Sequence, residues 1–261
     1  MALRSQLDLT AIAEELQAES VAPTSPSRCS QRLIQLNARP ARRALGCRSS
    51  RESRMPIDRV IAFSNELTRY LDAGGRKLGP LPGFATNPVD LVPLYQALLR
   101  TRAFNAKTVA LQRTGRLGTF ASSLGQEAVG VGAASAMAAG DVLVPSFCDQ
   151  AAQLWRGVTP VELLVYWGGD ERGSDFAGPR GDFPISVPAG SHVPHAAGAA
   201  LAMKLHHEAR ATLCILGNGA TSKGDFYEAI NVAGVGHLPL VVLISDNQWA
   251  AFSANKWTAK T

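Results

Sequence analysis

The stretch that decides the fold is Leu213–Trp249, which reads LCILGNGATSKGDFYEAINVAGVGHLPLVVLISDNQW. A short apolar run, Ala211–Leu216, has the length and residue types of a buried strand, and Leu240–Ser245 is a second run of this kind. Between them, Gly224–Val235 carries apolar residues at helical spacing, and Pro239 then breaks the pattern. A strand, a helix and a strand in this order predict two parallel strands joined by a right-handed crossover.

Each of the two predicted strands is followed by a polar turn. Gly217-Asn218-Gly219 follows the first strand, and Asp246-Asn247 follows the second. The carboxyl ends of parallel strands meet at one edge of a sheet, which is where open α/β sheets bind ligands. Asn-Gly between apolar runs also signals a β-hairpin, but the helical period of the next segment makes that the weaker interpretation. The two glycines instead predict a backbone that a ligand approaches closely.

This pattern resembles the motif of enzymes that bind thiamine diphosphate through a magnesium ion. The chain has Gly217-Asn218-Gly219, then 26 residues, then Asp246-Asn247. More closely, it resembles the alpha subunit of the decarboxylating component of 2-oxoacid dehydrogenase complexes, of the pyruvate or branched-chain type. That closer resemblance covers Asn87 to Trp249 and rests on three further segments: Arg116-Leu-Gly-Thr-Phe-Ala-Ser-Ser-Leu-Gly-Gln-Glu-Ala128, Gln153-Leu-Trp-Arg-Gly157 and Gly190-Ser-His-Val-Pro-His-Ala-Ala-Gly198.

The resemblance implies an α/β architecture of the thiamine-diphosphate-binding type. Its sheet would be doubly wound and mainly parallel, with helices on both faces. The cofactor-binding domain would occupy residues 87–261, and its C-terminal part, which carries the family's active-site histidine loop, would be missing after Thr261. The family's catalytic glutamate belongs to the beta subunit, so no catalytic residue is expected in this chain.

The resemblance also implies which residues would hold the cofactor. The magnesium ligands would be Asn218, Asn247 and the main-chain carbonyl of Trp249. Gly219 and Ala220 would offer backbone N–H groups to the diphosphate at the start of the following helix, which is a natural anion site.

Val187–Ala189 would line the aminopyrimidine ring, and Phe147 and Cys148 stand where the family has an aromatic residue and a diphosphate-binding arginine. Two of the positions that would hold the cofactor, Cys148 and Asn218, depart from the family's pattern. Cys148 therefore removes a bidentate phosphate donor. Asn218 stands in place of the magnesium-binding aspartate, so it keeps a carbonyl oxygen and loses the charge. Asp246, in place of the first of two asparagines, is a milder change. Weak binding of thiamine diphosphate and magnesium is therefore expected.

By resemblance the function is that of an oxidoreductase subunit of the pyruvate dehydrogenase type, impaired in this chain. Its partners would be a beta subunit, in a heterotetramer of two alpha and two beta chains, and a lipoyl-bearing acyltransferase core. The alternatives are a branched-chain 2-oxoacid dehydrogenase subunit and a non-catalytic remnant or interaction protein of the same fold. A synthase of the acetolactate type is disfavoured by the Gly-Gln-Glu-Ala and Leu-Trp-Arg-Gly segments.

Composition excludes several other classes of function. The chain has 261 residues, of which 46% are hydrophobic, enough for one α/β core. Its net charge is +5, but residues 21–54 hold eight arginines and one acid, a charge of +7, so the remainder is −2. A basic surface for nucleic acid is therefore not expected. No apolar run is long enough to span a membrane. The four cysteines lack CxxC spacing and the five histidines lack HExxH spacing, which argues against a zinc site.

The N-terminal region differs in character from the rest. Residues 1–54 are predicted to be a disordered, Arg/Ser/Pro-rich leader, in which Leu9, Ile12 and Leu16 share one face of a short helix. A mitochondrial presequence and a translated leader before a true start at Met55 are the two interpretations, and the second is favoured. Residues 55–86 would be an extension and connector. A cytoplasmic, bacterial-type location is expected, with the mitochondrial matrix as the alternative.

Between the connector and the deciding stretch, the pattern predicts further elements. Ser123 with Gln126, and Thr159 with Glu162, resemble capping boxes that begin two helices. The first of these helices is rich in small residues, which predicts close helix packing within the chain or across a subunit boundary. The other predicted elements are a helix from Asp90 to near Gly115, a strand Asp141–Ser146, a long irregular segment Gly168–Pro188 and a helix His195–Leu205.

Overall fold

The computed structural model describes residues 67–247, 249–250 and 253–254. The chain divides into two compact units at Thr86, and the described part of the smaller unit is residues 67–86. That part contains an antiparallel bridge between Leu71 and Lys77 and a short 3-10 helix, Gly83–Ala85. The predictions for residues 1–54 lie outside the described residues.

The larger unit is built on a three-stranded parallel sheet in the order β1-β2-β3. The strands are β1 (Val142–Val144), β2 (Thr212–Gly217) and β3 (Leu240–Ser245). Both strand pairs are parallel, so the strand–helix–strand prediction is confirmed. The first strand is shorter than predicted because Pro145, which has no N–H to donate, follows it directly.

Six α-helices, three 3-10 helices and one small antiparallel hairpin complete the described residues. The α-helices are α1 (Pro88–Arg113), α2 (Glu127–Ser135), α3 (Gln150–Trp155), α4 (Pro160–Trp167), α5 (Val193–Leu205) and α6 (Gly224–Val235). Beyond Gly83–Ala85, the 3-10 helices are Glu171–Ser174 and Asn218–Ser222, and the hairpin strands are β4 (Trp249–Ala250) and β5 (Ser253–Ala254). None of the described helices combines the length and the apolar character that a membrane span requires.

Side chains of β1 and β2 alternate between two hydrophobic clusters, because successive residues of a strand point to opposite faces. On one face, Cys214 and Leu216 pack with Val193 of α5 and Phe226 of α6. On the other face, Leu213 and Ile215 pack with Ala134 of α2 and Ala152 of α3. The sheet therefore has helices on both faces, as predicted.

A third cluster packs α1 against α4 through aromatic rings. Phe104 of α1 and Trp167 of α4 both contact Phe120 edge-on, with ring centroids 6.2 Å and 5.5 Å apart. Phe120 lies in the quoted segment that begins at Arg116, and Leu163 and its neighbours complete the cluster. That segment therefore contributes to the core.

The helices α2 and α3 approach each other very closely at Gly130. A Cβ atom there would lie 2.7 Å from the Cβ of Ala151 and 2.9 Å from the backbone nitrogen of Ala152. Real side chains do not come this close, so the position accepts only glycine unless the helices move. The close packing predicted from the small residues of α2 occurs here, within the chain.

The two predicted capping boxes have opposite outcomes. In α4, the Thr159 hydroxyl accepts a hydrogen bond from the Glu162 N–H at 3.3 Å, and the Glu162 carboxylate accepts one from the Thr159 N–H at 2.7 Å. The Ser123 prediction is wrong. The residues from Ser123 to Gln126 form a turn, in which the Gln126 N–H donates to the Ser123 carbonyl at 2.9 Å. As a result, α2 begins only at Glu127, and its N-cap residue makes no side-chain bond.

Candidate functional site

The carboxyl edge of the parallel sheet brings the predicted ligand segments together. Gly217 of β2 lies opposite Ser245 of β3, so Asn218 and Asn247 follow their strands on the same edge. The residues Phe147–Cys148 follow β1, which is parallel to β2 and pairs with it up to Val144. The common edge predicted from the strand order is present in the structure.

Asn218 begins a turn that is more tightly wound than the sequence predicted. It is only 3% exposed, and its carbonyl accepts a hydrogen bond of 2.7 Å from the Thr221 hydroxyl. Gly219 and Ala220 lie in the 3-10 helix Asn218–Ser222, whereas the following α-helix begins only at Gly224. Their N–H groups therefore belong to the 3-10 helix and not to the first turn of α6, which corrects the prediction.

The backbone of β4 lies against this turn. Trp249–Ala250 contacts the 3-10 helix Asn218–Ser222. The main chain of Trp249 and the turn that carries Asn218 are therefore neighbours, as a shared set of ligands requires. Asn247, just before β4, is exposed.

The predicted ring-lining segment Val187–Ala189 is followed by Gly190, and Gly190 lies close to the same turn. Gly190 has a φ of +78°, and a Cβ there would lie 3.3 Å from both the Ala220 carbonyl oxygen and the Lys223 Cδ. The segment itself is exposed, with Val187 at 51%. The Ser191 hydroxyl donates to the Pro188 carbonyl at 2.9 Å and so closes the loop.

Cys148 cannot replace the charge of an arginine. The thiol is half-buried, and burial, together with the neighbouring Asp149, raises its pKa to about 12. It is therefore neutral at physiological pH and a weak donor. Phe147 packs its ring against the aromatic cluster of α1 and α4, and its carbonyl accepts a hydrogen bond of 2.8 Å from the Gln150 side chain.

Two buried ionisable residues lie beneath this edge, and the sequence did not single them out. Asp149 accepts hydrogen bonds from the Ser146 N–H at 2.7 Å and the Ser146 hydroxyl at 2.6 Å, and burial raises its pKa. The His192 Nε2 lies 2.9 Å from the Ile215 carbonyl oxygen, while its Nδ1 has no hydrogen-bonding partner among the described residues. Burial lowers the pKa of His192. Sequence position alone gave no signal for either, because neither burial nor the Ile215 contact is local.

The charges at this edge do not fit the cofactor that the resemblance implies. The described residues contain no group of three or more His, Cys, Asp or Glu side chains that could hold a metal ion. Asn218 offers a neutral amide where magnesium prefers a carboxylate to compensate for its lost water. The neutral thiol of Cys148 leaves the diphosphate without its fork of N–H donors. A magnesium diphosphate is therefore poorly matched by these side chains.

A separate cleft of about 510 Å³ lies between the end of α1 and α4. Arg116, Glu162 and Arg172 are among the residues that line it, and none of the predicted cofactor residues does so. Glu162 is already engaged in its capping box. The carboxyl edge therefore remains the candidate site.

Comparisons with known proteins agree with the sequence resemblance. The family described as "Dehydrogenase E1 component" matches residues 95–261. The pyruvate dehydrogenase E1 component subunit alpha of Mycoplasma genitalium is 31% identical over 190 residues, which cover 73% of this chain and 53% of that protein. The 3-methyl-2-oxobutanoate dehydrogenase subunit alpha of Mycobacterium tuberculosis is 39% identical over 157 residues, which cover 60% of this chain and 43% of that protein. The chain thus spans about half the length of the curated relatives it matches.

Among solved structures, a Mycobacterium smegmatis protein described as a "putative thiamin diphosphate-dependent enzyme" matches over 51% of this chain and 23% of its own chain, at 18% identity and a TM-score of 0.33.

Proposed function

Because the chain belongs to the dehydrogenase E1 component family, we propose that it is an alpha-type subunit of a 2-oxoacid dehydrogenase complex with an impaired cofactor site. The proposed activity of the complex is the oxidative decarboxylation of a 2-oxoacid of the pyruvate type, with acyl transfer to a lipoyl group. A branched-chain 2-oxoacid is the alternative substrate. Relatives named for pyruvate and for 3-methyl-2-oxobutanoate support these two classes.

One observation carries the proposal. Within the region that the family matches, the parallel sheet presents Asn218 and Asn247 on one edge, beside the exposed segment Val187–Ala189. These are the positions at which the family resemblance puts the magnesium ligands and the ring-lining residues. We propose that thiamine diphosphate and magnesium bind at this edge, held by main-chain groups and neutral oxygens, and with low affinity.

In this proposal the chain's own residues hold and orient the ligand and transfer no proton. The family's catalytic glutamate belongs to the beta subunit, and the charges that would fix the diphosphate are absent at Asn218 and Cys148. The proposed partners are therefore a beta subunit, in a heterotetramer, and a lipoyl-bearing acyltransferase core. Activity would require the beta subunit.

The same two neutral side chains favour a second candidate function. A chain that keeps the fold and binds a beta subunit, but does not bind the cofactor, would act as a non-catalytic partner. A protein with that function would not need a charged side chain at position 218 or 148. The two candidates differ in what happens when the charges are restored.

The test is reconstitution of the full chain with a beta subunit from a related complex. Sedimentation would measure assembly, and release of CO2 from pyruvate or 3-methyl-2-oxobutanoate, with thiamine diphosphate and magnesium, would measure activity. The proposal expects assembly, weak or absent activity, and a gain of activity when Asn218→Asp and Cys148→Arg are combined.

The matched control is Cys148→Ser, which changes the thiol without adding charge and should leave activity as in the unmodified chain. Assembly without any gain from the restored charges would support the non-catalytic candidate. Failure to assemble with beta subunits of both substrate classes would contradict both candidates.

A further inference from the structure

The last part of the long irregular segment Gly168–Pro188 is hydrogen-bonded to the sheet. From Asp182 to Ser186 it runs beside β1, on the edge that β2 leaves open. The Phe183 N–H donates to the Leu143 carbonyl at 2.8 Å, and Ser186 forms a parallel bridge with Ser146. We call the residues Asp182–Ser186 the edge segment. It leads directly into the exposed residues Val187–Ala189.

A buried ion pair holds the start of the edge segment. The guanidinium of Arg156 donates two hydrogen bonds to the Asp182 carboxylate, both of 2.9 Å. The two side chains are 11% and 2% exposed. Arg156 also donates to the carbonyls of Ala138 and Asp141, at 3.1 Å and 2.7 Å. The Asp182 carboxylate accepts a further bond of 2.9 Å from the Leu143 N–H. The pair therefore joins α3, the start of β1 and the edge segment.

The residues beyond the edge segment have little burial of their own to hold them. Val187, Pro188 and Ala189 are all exposed. The edge segment, which precedes them in the chain, is bridged to β1. Gly190, which follows them, lies close to Ala220. Val187 lies five positions after Asp182, a distance of about 17 Å along extended backbone.

We propose that Arg156 and Asp182 are positioning residues that hold Val187–Ala189 over the carboxyl edge through the edge segment. The part of the proposal that concerns a ligand rests on the proposed function. A buried ion pair adds little net stability compared with a well-packed apolar pair of similar volume. Its contribution here is to select one arrangement of the edge segment. This separates positioning from a general role in folding.

Hydrogen–deuterium exchange on the full chain measures the positioning directly. The variants are Asp182→Asn, which keeps an acceptor for Leu143, and the double substitution Arg156→Met with Asp182→Leu, which removes both charges together. The matched control is Asp170→Asn, because Asp170 forms an exposed pair with Arg172 in the same long segment.

The expected result is selective. Losing a charge-assisted contact of this kind should speed exchange at the protected amides of residues 183–189, that of Phe183 among them, roughly tenfold or more. The increase there should exceed any increase in β2 and β3, which only a general loss of stability would affect. The double substitution leaves no unpaired buried charge, but it also removes the partners of the Leu143 N–H and of the Ala138 and Asp141 carbonyls. It should therefore loosen the same residues and lower the global unfolding midpoint modestly. The Asp170 control should leave exchange unchanged. Unchanged exchange in residues 183–189 would overturn the proposal, and so would an equal loss of protection in β2.

A second measurement separates this inference from the proposed function. In the Asn218→Asp and Cys148→Arg background, titration with thiamine diphosphate and magnesium should show weaker binding when Asp182→Asn is added. No binding in that background would count against the proposed function and leave the exchange result standing. Undiminished binding beside faster exchange would show that the edge segment does not position a ligand and would overturn that part of the inference.

Discussion

Restoring two charges at the carboxyl edge should strengthen the binding of thiamine diphosphate and magnesium. At pH 7 both positions are neutral in this chain. Asn218 is an amide that is 3% exposed, and burial together with Asp149 keeps the pKa of the Cys148 thiol at about 12. The substitutions Asn218→Asp and Cys148→Arg supply the missing carboxylate ligand and the missing guanidinium fork.

The magnitude follows from the charge-assisted contacts. Each contact of this kind contributes about 2 kcal/mol at a buried site. One restored charge should therefore tighten binding roughly 30-fold, and both together about a thousandfold. The Asn218→Asp change has a cost without a ligand, because an isolated buried carboxylate is destabilising. The unliganded variant should unfold at a lower temperature, and magnesium with thiamine diphosphate should reverse the loss.

Titration calorimetry on the full chain is the assay, with thermal unfolding as a check that each variant is folded. The unmodified chain, both single variants, the double variant and the Cys148→Ser control would be compared at one magnesium concentration. Micromolar binding by the unmodified chain would refute the reasoning. So would a folded double variant that binds no better than the Cys148→Ser control.

Three further predictions concern the buried groups. Cys148 in the native chain should react with a thiol-alkylating reagent at pH 8 roughly a thousandfold more slowly than after denaturation, because its pKa is raised to about 12 by burial; equal rates would show that the thiol is accessible and ionised. Burial raises the pKa of Asp149, so its contribution to stability is fully present below the unfolded pKa of about 3.9 and is lost as the pH rises through the folded pKa. Asp149→Asn should remove this decline from the pH dependence of the unfolding free energy, and an unchanged profile would contradict the assignment. Leu163 is 0% exposed, so Leu163→Ala should lower the free energy of unfolding by about 3 kcal/mol in denaturant titrations, whereas a loss below about 1 kcal/mol would mean that the aromatic cluster is loosely packed.

The sequence was most informative where local pattern and fold agree. The strand–helix–strand unit from β2 to β3 was predicted because its period changes from that of a buried strand to that of a helix and back. The helix α6 has the predicted bounds, Gly224–Val235. The Thr159 capping box was also predictable, since both of its hydrogen bonds join residues three apart.

Predictions failed where the deciding contact is distant in the chain. Ser123 has the spacing of a capping residue, but the tertiary structure uses it in a turn that delays the helix. The position of the edge segment beside β1 was not predicted, because the sequence of the segment has no strand pattern. The segment is held by the ion pair between Arg156 and Asp182, which are 26 residues apart in the chain. The burial of Asp149 and His192 likewise depends on neighbours that local spacing does not reveal.

The edge segment also bears on self-association of the protein through its sheet. An open sheet edge is a template on which a further strand can add, and repeated addition leads to aggregation. On the β1 side that template is occupied by Asp182–Ser186, and Pro184 within it has no N–H to offer outward. On the other side, the outer edge of β3 has no strand partner among the described residues, and Val241 is 55% exposed. Among the described residues, addition of a further strand next to β1 is therefore blocked by the edge segment.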